Sequence, residues 1–256
     1  KNIQLWQSLL QYYSNEGDKN AIIEVLEEMV RVFPDNSDVY MDLSAYYAEQ
    51  ARFREAIATL KVYEKIEGKS EFVSMQKYRM YLMLQQKDSA LAEVRSLAAE
   101  APGDLRYLTM EGDIYLMFGD RDKAFAVLSE VLAKEPDNVQ AQLSMVGYYS
   151  DAKNDTMFVR TMENLMRNEK LDADTRENIM LELVRYKEKT DSSDYIIKLF
   201  DELMELPFGV VQTGCMYVSY LMHTDKGNDA MRPVLEKILS IEPDNRAALL
   251  QQLIIA

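Results

Sequence analysis

One cysteine, one histidine and one tryptophan are all that this 256-residue chain holds of those residues. With Cys215 alone, no intramolecular disulfide and no multi-cysteine metal site can form, and cysteine usage does not reveal the redox compartment. His223 has no HExxH motif or Cys/His cluster around it, so a catalytic triad or a zinc site would lack its ligands. The GxGxxG, P-loop and GxSxG motifs are also missing. The carboxylates are abundant but scattered over helix surfaces, and no pair stands out for acid–base work. No catalytic residue, metal site or cofactor is therefore assigned. No hydrophobic run approaches the ~20 residues of a membrane span. Basic charge is short, with 29 Lys and Arg against 43 Asp and Glu and a net charge of −14. That balance disfavours general nucleic-acid binding and adsorption to anionic membranes; a solvated acidic surface accounts for it. Glycine and proline are scarce, at nine and six residues, which suits a helix-rich folded chain and argues against disorder. The chain opens at Lys1 directly into helical pattern, so an upstream segment is expected to have been removed.

The few prolines punctuate the chain. Five of the six fall in FPDN (Pro34), APGD (Pro102) and EPDN (Pro136 and Pro243), with Pro207 between the last two. Pro102 to Pro136 sets a period of about 34 residues, in the range that means stacked supersecondary units. Pro34 to Pro102 is two such periods, and Gly68 falls at the midpoint. Pro136 to Pro207 is slightly longer than two periods, and Pro207 to Pro243 slightly longer than one. Proline stops a helix because it lacks an N–H and disfavours helix in the residue before it. The Asp-Asn after it is expected to cap the next helix.

Between these stops the apolar residues recur at helical spacing, two helices per period. The clearest unit is Leu105 to Asn138. Gly112 and Tyr115 lie on its first helix, Gly119 and Asp120 make the turn, Ala124 and Leu128 lie on the second, and Pro136 closes it. Units are expected at 3–36, 37–70, 71–104, 105–138, 139–173, 174–207 and 208–243, with a partial eighth at 244–256, together forming a single array over 1–256. Trp6, Leu9 and Tyr13 carry the first helix of repeat one, and Tyr40, Leu43, Ser44 and Tyr47 that of repeat two. Lys77 and Tyr78 replace the usual apolar and small pair in repeat three. Repeat five ends without proline, in NEKLDADT, where Asp172 or Asp174 can cap the next helix. In repeat six, Asp191-Ser-Ser makes the turn. In repeat seven, Cys215, Val218, Ser219 and Met222 are read as the inward positions, with Cys215 packed as a small apolar residue.

The Leu105–Asn138 pattern resembles the tetratricopeptide repeat (TPR), a helix-turn-helix unit of about 34 residues. The resemblance implies an all-α fold, an α-solenoid of about seven units in a right-handed superhelix, with the first helices lining a concave face. Gly112→Leu should overpack one helix pair and cost about 1–3 kcal/mol. SMQKYRMYLML (Ser74 to Leu84), NEKLDADT (Asn168 to Thr175) and the EPDN-xx-A boundaries resemble the central part of large multi-repeat TPR proteins of Bacteroidetes bacteria. That likeness places the chain in the cell envelope, with a cytoplasmic placement as the alternative. The apolar end Leu253-Ile254-Ile255-Ala256 is unlike a polar terminal cap. Both ends are thus expected to be cut from a longer array, and such ends could pair two copies of the chain.

The TPR register places a set of ligand-facing residues on the first helices. They are Gln4, Gln7 and Gln11; Asp38 and Met41; Met75 and Arg79; Arg106, Thr109 and Asp113; Gln140 and Leu143; Met180 and Lys187; and Met216, Tyr220 and His223. Their mix of polar and apolar types with a few basic residues suits an extended peptide or a helix better than a metabolite. The carboxylate clamp of chaperone-binding TPR domains is missing, since Gln7, Gln11 and Ala45 stand where its residues would be. The leading expectation is a non-enzymatic scaffold that binds a protein segment in its groove. A structural spacer or assembly subunit using convex or end surfaces is the alternative. An enzyme would need a catalytic domain outside these residues.

Overall fold

The computed structural model describes residues 2–188, 193–224 and 228–255. Asp191 and Ser192 of the expected sixth turn lie outside them. Among the described residues there are fifteen α-helices and no strand. Contacts gather into two compact units, Lys1–Ser129 and Glu130–Ala256.

The first unit holds α1 (Ile3–Glu16), α2 (Lys19–Val32), α3 (Ser37–Glu49), α4 (Phe53–Glu67), α5 (Glu71–Met83), α6 (Lys87–Glu100) and α7 (Leu105–Met117). The boundary falls inside α8 (Arg121–Lys134). The second unit holds α9 (Val139–Asp151), α10 (Asp155–Met166), α11 (Ala173–Glu188), α12 (Ser193–Met204), α13 (Val210–His223), α14 (Asn228–Ile241) and α15 (Arg246–Ile255). Within each unit, helices adjacent in the chain pack in series, from α1 to α7 and from α9 to α15. This is the serial stacking of an α-solenoid, in which each pair buries its apolar stripe against the next.

The repeat is written into the core as columns. Ile22, Ala56, Ala90 and Ala124 recur once per period, as do Leu26, Leu60, Val94 and Leu128, and all are buried. Gly112 faces Leu128 so closely that a Cβ on it would lie 2.7 Å from the leucine Cγ. A tyrosine column runs through 13, 47, 81, 115 and 149, and the last four are buried.

The turn inside each pair repeats with the same period. Gly17, Ala51, Gln85, Gly119 and Lys153 all have positive φ, between 52° and 78°. The amide after each donates to the carbonyl of the column tyrosine, for example Arg52 to Tyr47 at 2.8 Å and Asp120 to Tyr115 at 2.8 Å. This is the Schellman closure of a helix. At Ala51, Gln85 and Lys153 the same left-handed backbone is held by residues that carry a Cβ, against a steric cost of roughly 1–2 kcal/mol each.

Between pairs, side chains cap the helix starts. Asn138 accepts from the Ala141 amide at 3.0 Å, Asn245 from Ala248 at 3.0 Å and Asp104 from Arg106 at 3.0 Å. Asn36 occupies the same position but makes no side-chain cap bond, contrary to the expectation for FPDN. NEKLDADT replaces the proline turn with a tied loop. The Asn168 side-chain amide donates to the Asp137 carbonyl and to Gln142 Oε1, both at 2.9 Å. Arg176, 4% exposed, donates to the carbonyls of Met166, Asn168 and Leu171. Of the two capping candidates it is Asp172 that bonds the helix start, at the Thr175 amide.

Two expectations are corrected here. In α13 the close-approach position belongs to Gly214, where a Cβ would lie 2.7 Å from Ile238 Cγ1. Cys215, expected to be packed, is exposed, as are Ser219 and Met222. The uneven spacing around Pro207 shifted the count by one residue. Lys77 is buried at 3% exposure and bridges Glu64 on α4 at 2.7 Å and Glu93 on α6 at 2.8 Å. Burial pulls its ammonium down, but the hydrogen bonds of the two carboxylates outweigh this and hold it above its ordinary range.

Candidate functional site

In the first unit the expected residues lie on α1, α3, α5 and α7. Gln7 and Gln11 are exposed, and Gln11 Nε2 donates to Asn15 Oδ1 at 2.9 Å. Met41 and Met75 are partly buried and pack against the core. Arg79 is exposed beside Tyr78, whose hydroxyl is pushed up first by burial and then by the charge of Asp113. The Arg106 guanidinium is exposed but held by Asp104, with Nε 3.0 Å from Oδ1 and 2.9 Å from Oδ2, and it also lies 3.5 Å from Glu71. Those contacts raise it above its ordinary range.

The second unit carries a cleft of about 410 Å³ between α11 and α13. Met180, Leu181, Val184, Phe200, Met216 and Tyr220 form its apolar lining. Phe200, on α12, makes the floor: its ring stacks on Tyr217 at 4.7 Å and 6°, and tilts against Tyr220 at 5.7 Å. Tyr217 is fixed by donating to Asp201 Oδ1 at 2.8 Å. The polar rim holds Glu177, Glu188, Gln212, Cys215, Ser219 and His223. His223 Nδ1 donates to the Ser219 carbonyl at 2.8 Å. Burial, then the charges of Glu188 and Asp194, hold the Tyr220 hydroxyl above its ordinary range. Burial, then Glu242, push the Cys215 thiol up as well. A thiol held protonated is the opposite of an activated nucleophile.

No protein-family model matches the sequence, and neither does any curated protein. Solved structures do match in fold. A tetratricopeptide repeat protein from Parabacteroides merdae ATCC 43184 superposes with a TM-score of 0.53 at 14% identity, over 97% of each chain. The C-terminal part of a TPR repeat-containing protein from Cytophaga hutchinsonii gives 0.54 at 12% identity, over 94% of this chain and 97% of that one. The fold is that of the tetratricopeptide repeat. MamA also matches, with a TM-score of 0.50 at 17% identity over 65% of this chain and 91% of its own.

The TPR period accounts for what the cleft contains. Asp113, Gly147, Leu181 and Cys215 stand one period apart in turn, a single column on the first helices. Leu181 and Cys215 were therefore findable by counting from Asp113, and the one-residue slip in repeat seven hid the second of them. The structure brings Tyr220 and His223 together with Met180 and Met216. It does not bring Lys187 there. That ammonium sits 4.1 Å from the Tyr195 ring centroid, beside a depression lined by Asp155, Arg160 and Glu163. Thr109 is also displaced from a ligand-facing role: it is 2% exposed, and its hydroxyl donates to the Leu105 carbonyl at 3.0 Å. Leu143 is partly buried on α9. Among the described residues, no cluster of three or more His, Cys, Asp or Glu could hold a metal ion, and no helix is long and apolar enough to cross a membrane.

Proposed function

We propose that this chain is a non-enzymatic scaffold, one array of TPR pairs that holds a protein segment against its first-helix faces. The observation that carries the reading is the cleft between α11 and α13, an apolar recess on consecutive first helices with a polar rim. Apolar recesses with a few placed polar groups are the usual form of a binding site. The TPR fold supports the reading, because stacked repeats of this kind create extended binding surfaces. Photo-crosslinking groups at Gln11, Arg79 and Ser219, all exposed on first helices, should capture a protein partner in the cells the chain comes from. Groups at Glu24 and Lys123, exposed on second helices, should not. Capture from Glu24 and Lys123 alone would overturn the reading. A second reading, an assembly subunit using end surfaces, draws on Leu249, Leu250, Leu253 and Ile254, all exposed on α15. Sedimentation of a Leu250→Glu/Leu253→Glu variant tests it: an unchanged assembly size refutes that use of α15.

A further inference from the structure

The cleft of the second unit is apolar at its base and acidic at its edge. Its described lining contains two glutamates and no lysine or arginine. Glu177 and Glu188 stand eleven residues apart on α11, three turns of one helix, and both are exposed. Asp194 and Glu242 add negative charge, the first acting on Tyr220 and the second on Cys215. Leu181 is 46% exposed at the mouth, so part of the apolar surface already meets solvent. The volume of about 410 Å³ lies in the range of sites that enclose a compact ligand. Two methionines in the lining, Met180 and Met216, give it a deformable wall.

From this charge and shape we infer that the cleft is an anchor site for a basic peptide segment of a partner protein. A leucine, methionine or phenylalanine of the segment enters the cleft, and lysines or arginines within three positions of it meet Glu177 and Glu188. The inference rests on the scaffold reading and narrows it to one site and one ligand chemistry. Complementary charge of this kind raises the association rate and is weakened by salt.

The probe is a random dodecapeptide library displayed on phage and selected on the full chain, followed by the most enriched sequence as a synthetic peptide. Cys215 lines the cleft and is the only cysteine, so its alkylation by iodoacetamide reports on occupancy. Enriched peptides should carry a large apolar residue flanked by Lys or Arg, and the synthetic peptide should slow Cys215 alkylation at least tenfold. Leu181→Asp and, independently, Ser219→Trp should each weaken the peptide at least tenfold; both positions are exposed, so helix content by circular dichroism should be unchanged. Glu177→Lys/Glu188→Lys should shift the selection toward acidic flanks. Enrichment of acidic or purely polar peptides by the unaltered chain would overturn the inference. So would a peptide that binds while Cys215 alkylation is unchanged, an outcome that leaves the scaffold reading intact. Alkylation that slows with protein concentration alone would show that a second copy covers the cleft, and would also overturn it. A selection that enriches nothing would count against both readings.

Discussion

Replacing Gly112 with alanine should destabilise the chain, although alanine is the better helix former. In an unobstructed helix interior the exchange stabilises by about 0.5–1 kcal/mol. At Gly112 the new methyl would lie 2.7 Å from both Cγ and Cδ2 of Leu128, which is itself fully buried. Because Cγ is the branch point of that side chain, a rotation of its tip cannot clear the space. Overpacking of this kind costs about 1–3 kcal/mol. The net loss is thus about 0.5–2 kcal/mol, or roughly 1–8 °C in melting temperature at about 2–4 °C per kcal/mol for a chain of this size. Gly147 supplies the control: it lies inside α9 with nothing within 4 Å of where its methyl would stand, so Gly147→Ala should stabilise. Urea denaturation followed by circular dichroism measures both, and hydrogen exchange should place the loss in α7 and α8. Leu128→Ala alone should cost about 2–5 kcal/mol as a cavity. Combined with Gly112→Ala it should cost less than the sum, with a coupling of about 0.5–3 kcal/mol. If Gly112→Ala matched or exceeded the parent while Gly147→Ala stabilised, the close-packing argument for the helix pair would fail.

Glycine at Gln85 and Lys153 should stabilise, because it relieves a left-handed cost of about 1–2 kcal/mol while adding about 0.4–1 kcal/mol of unfolded-state entropy. A net gain of about 0.5–1 kcal/mol per site is expected in urea midpoints. Lys77→Met should cost about 3–5 kcal/mol by leaving Glu64 without its cation and Glu93 with Lys69 alone, at 3.9 Å, whereas Lys77→Met/Glu64→Leu/Glu93→Leu should recover most of it; equal losses in the two variants would refute this account. Tyr47, buried and donating to Glu27 at 2.6 Å, has its hydroxyl pushed up to about 12, first by burial and then by that bond. A raised acid stabilises the fold while protonated, so its contribution is whole below pH 10 and is lost as pH rises through 12. Denaturation midpoints for the parent and Tyr47→Phe should therefore converge across that window, and parallel curves would contradict it. Arg176→Gln should destabilise by about 3 kcal/mol, because carbonyls left unbonded cost about 1–3 kcal/mol each; thermal melts check this.

The helix pairs were legible because two independent signals agree on them, apolar spacing and the proline stops. The left-handed turns were only half legible. Gly17 and Gly119 announce them, whereas Ala51, Gln85 and Lys153 adopt the same backbone without the residue that signals it. NEKLDADT stood out as a departure, but its meaning lies in Arg176 reaching back to carbonyls five to ten residues earlier, which no local pattern encodes. The candidate site was legible where the period held and blurred where it slipped. Tyr220 and His223 line the cleft, but Cys215 was read as packed because Pro207 falls out of step with the repeat, and Leu181, one period before it, was passed over. Thr109 fits the ligand-facing column by number, yet it turns its hydroxyl onto its own helix, a choice that only packing decides.

The buried lysine of α5 gives the third repeat an address. Its carboxylate partners sit at positions where neighbouring repeats carry no charge: Val30 and Ala98 stand one period either side of Glu64, and Thr59 and Val127 one period either side of Glu93. A shuffled chain that moved this repeat beside a different neighbour would keep Glu93 but lose Glu64, leaving the ammonium with one of its two carboxylates. The modules are therefore alike in outline yet not interchangeable, and their order is policed by one charge.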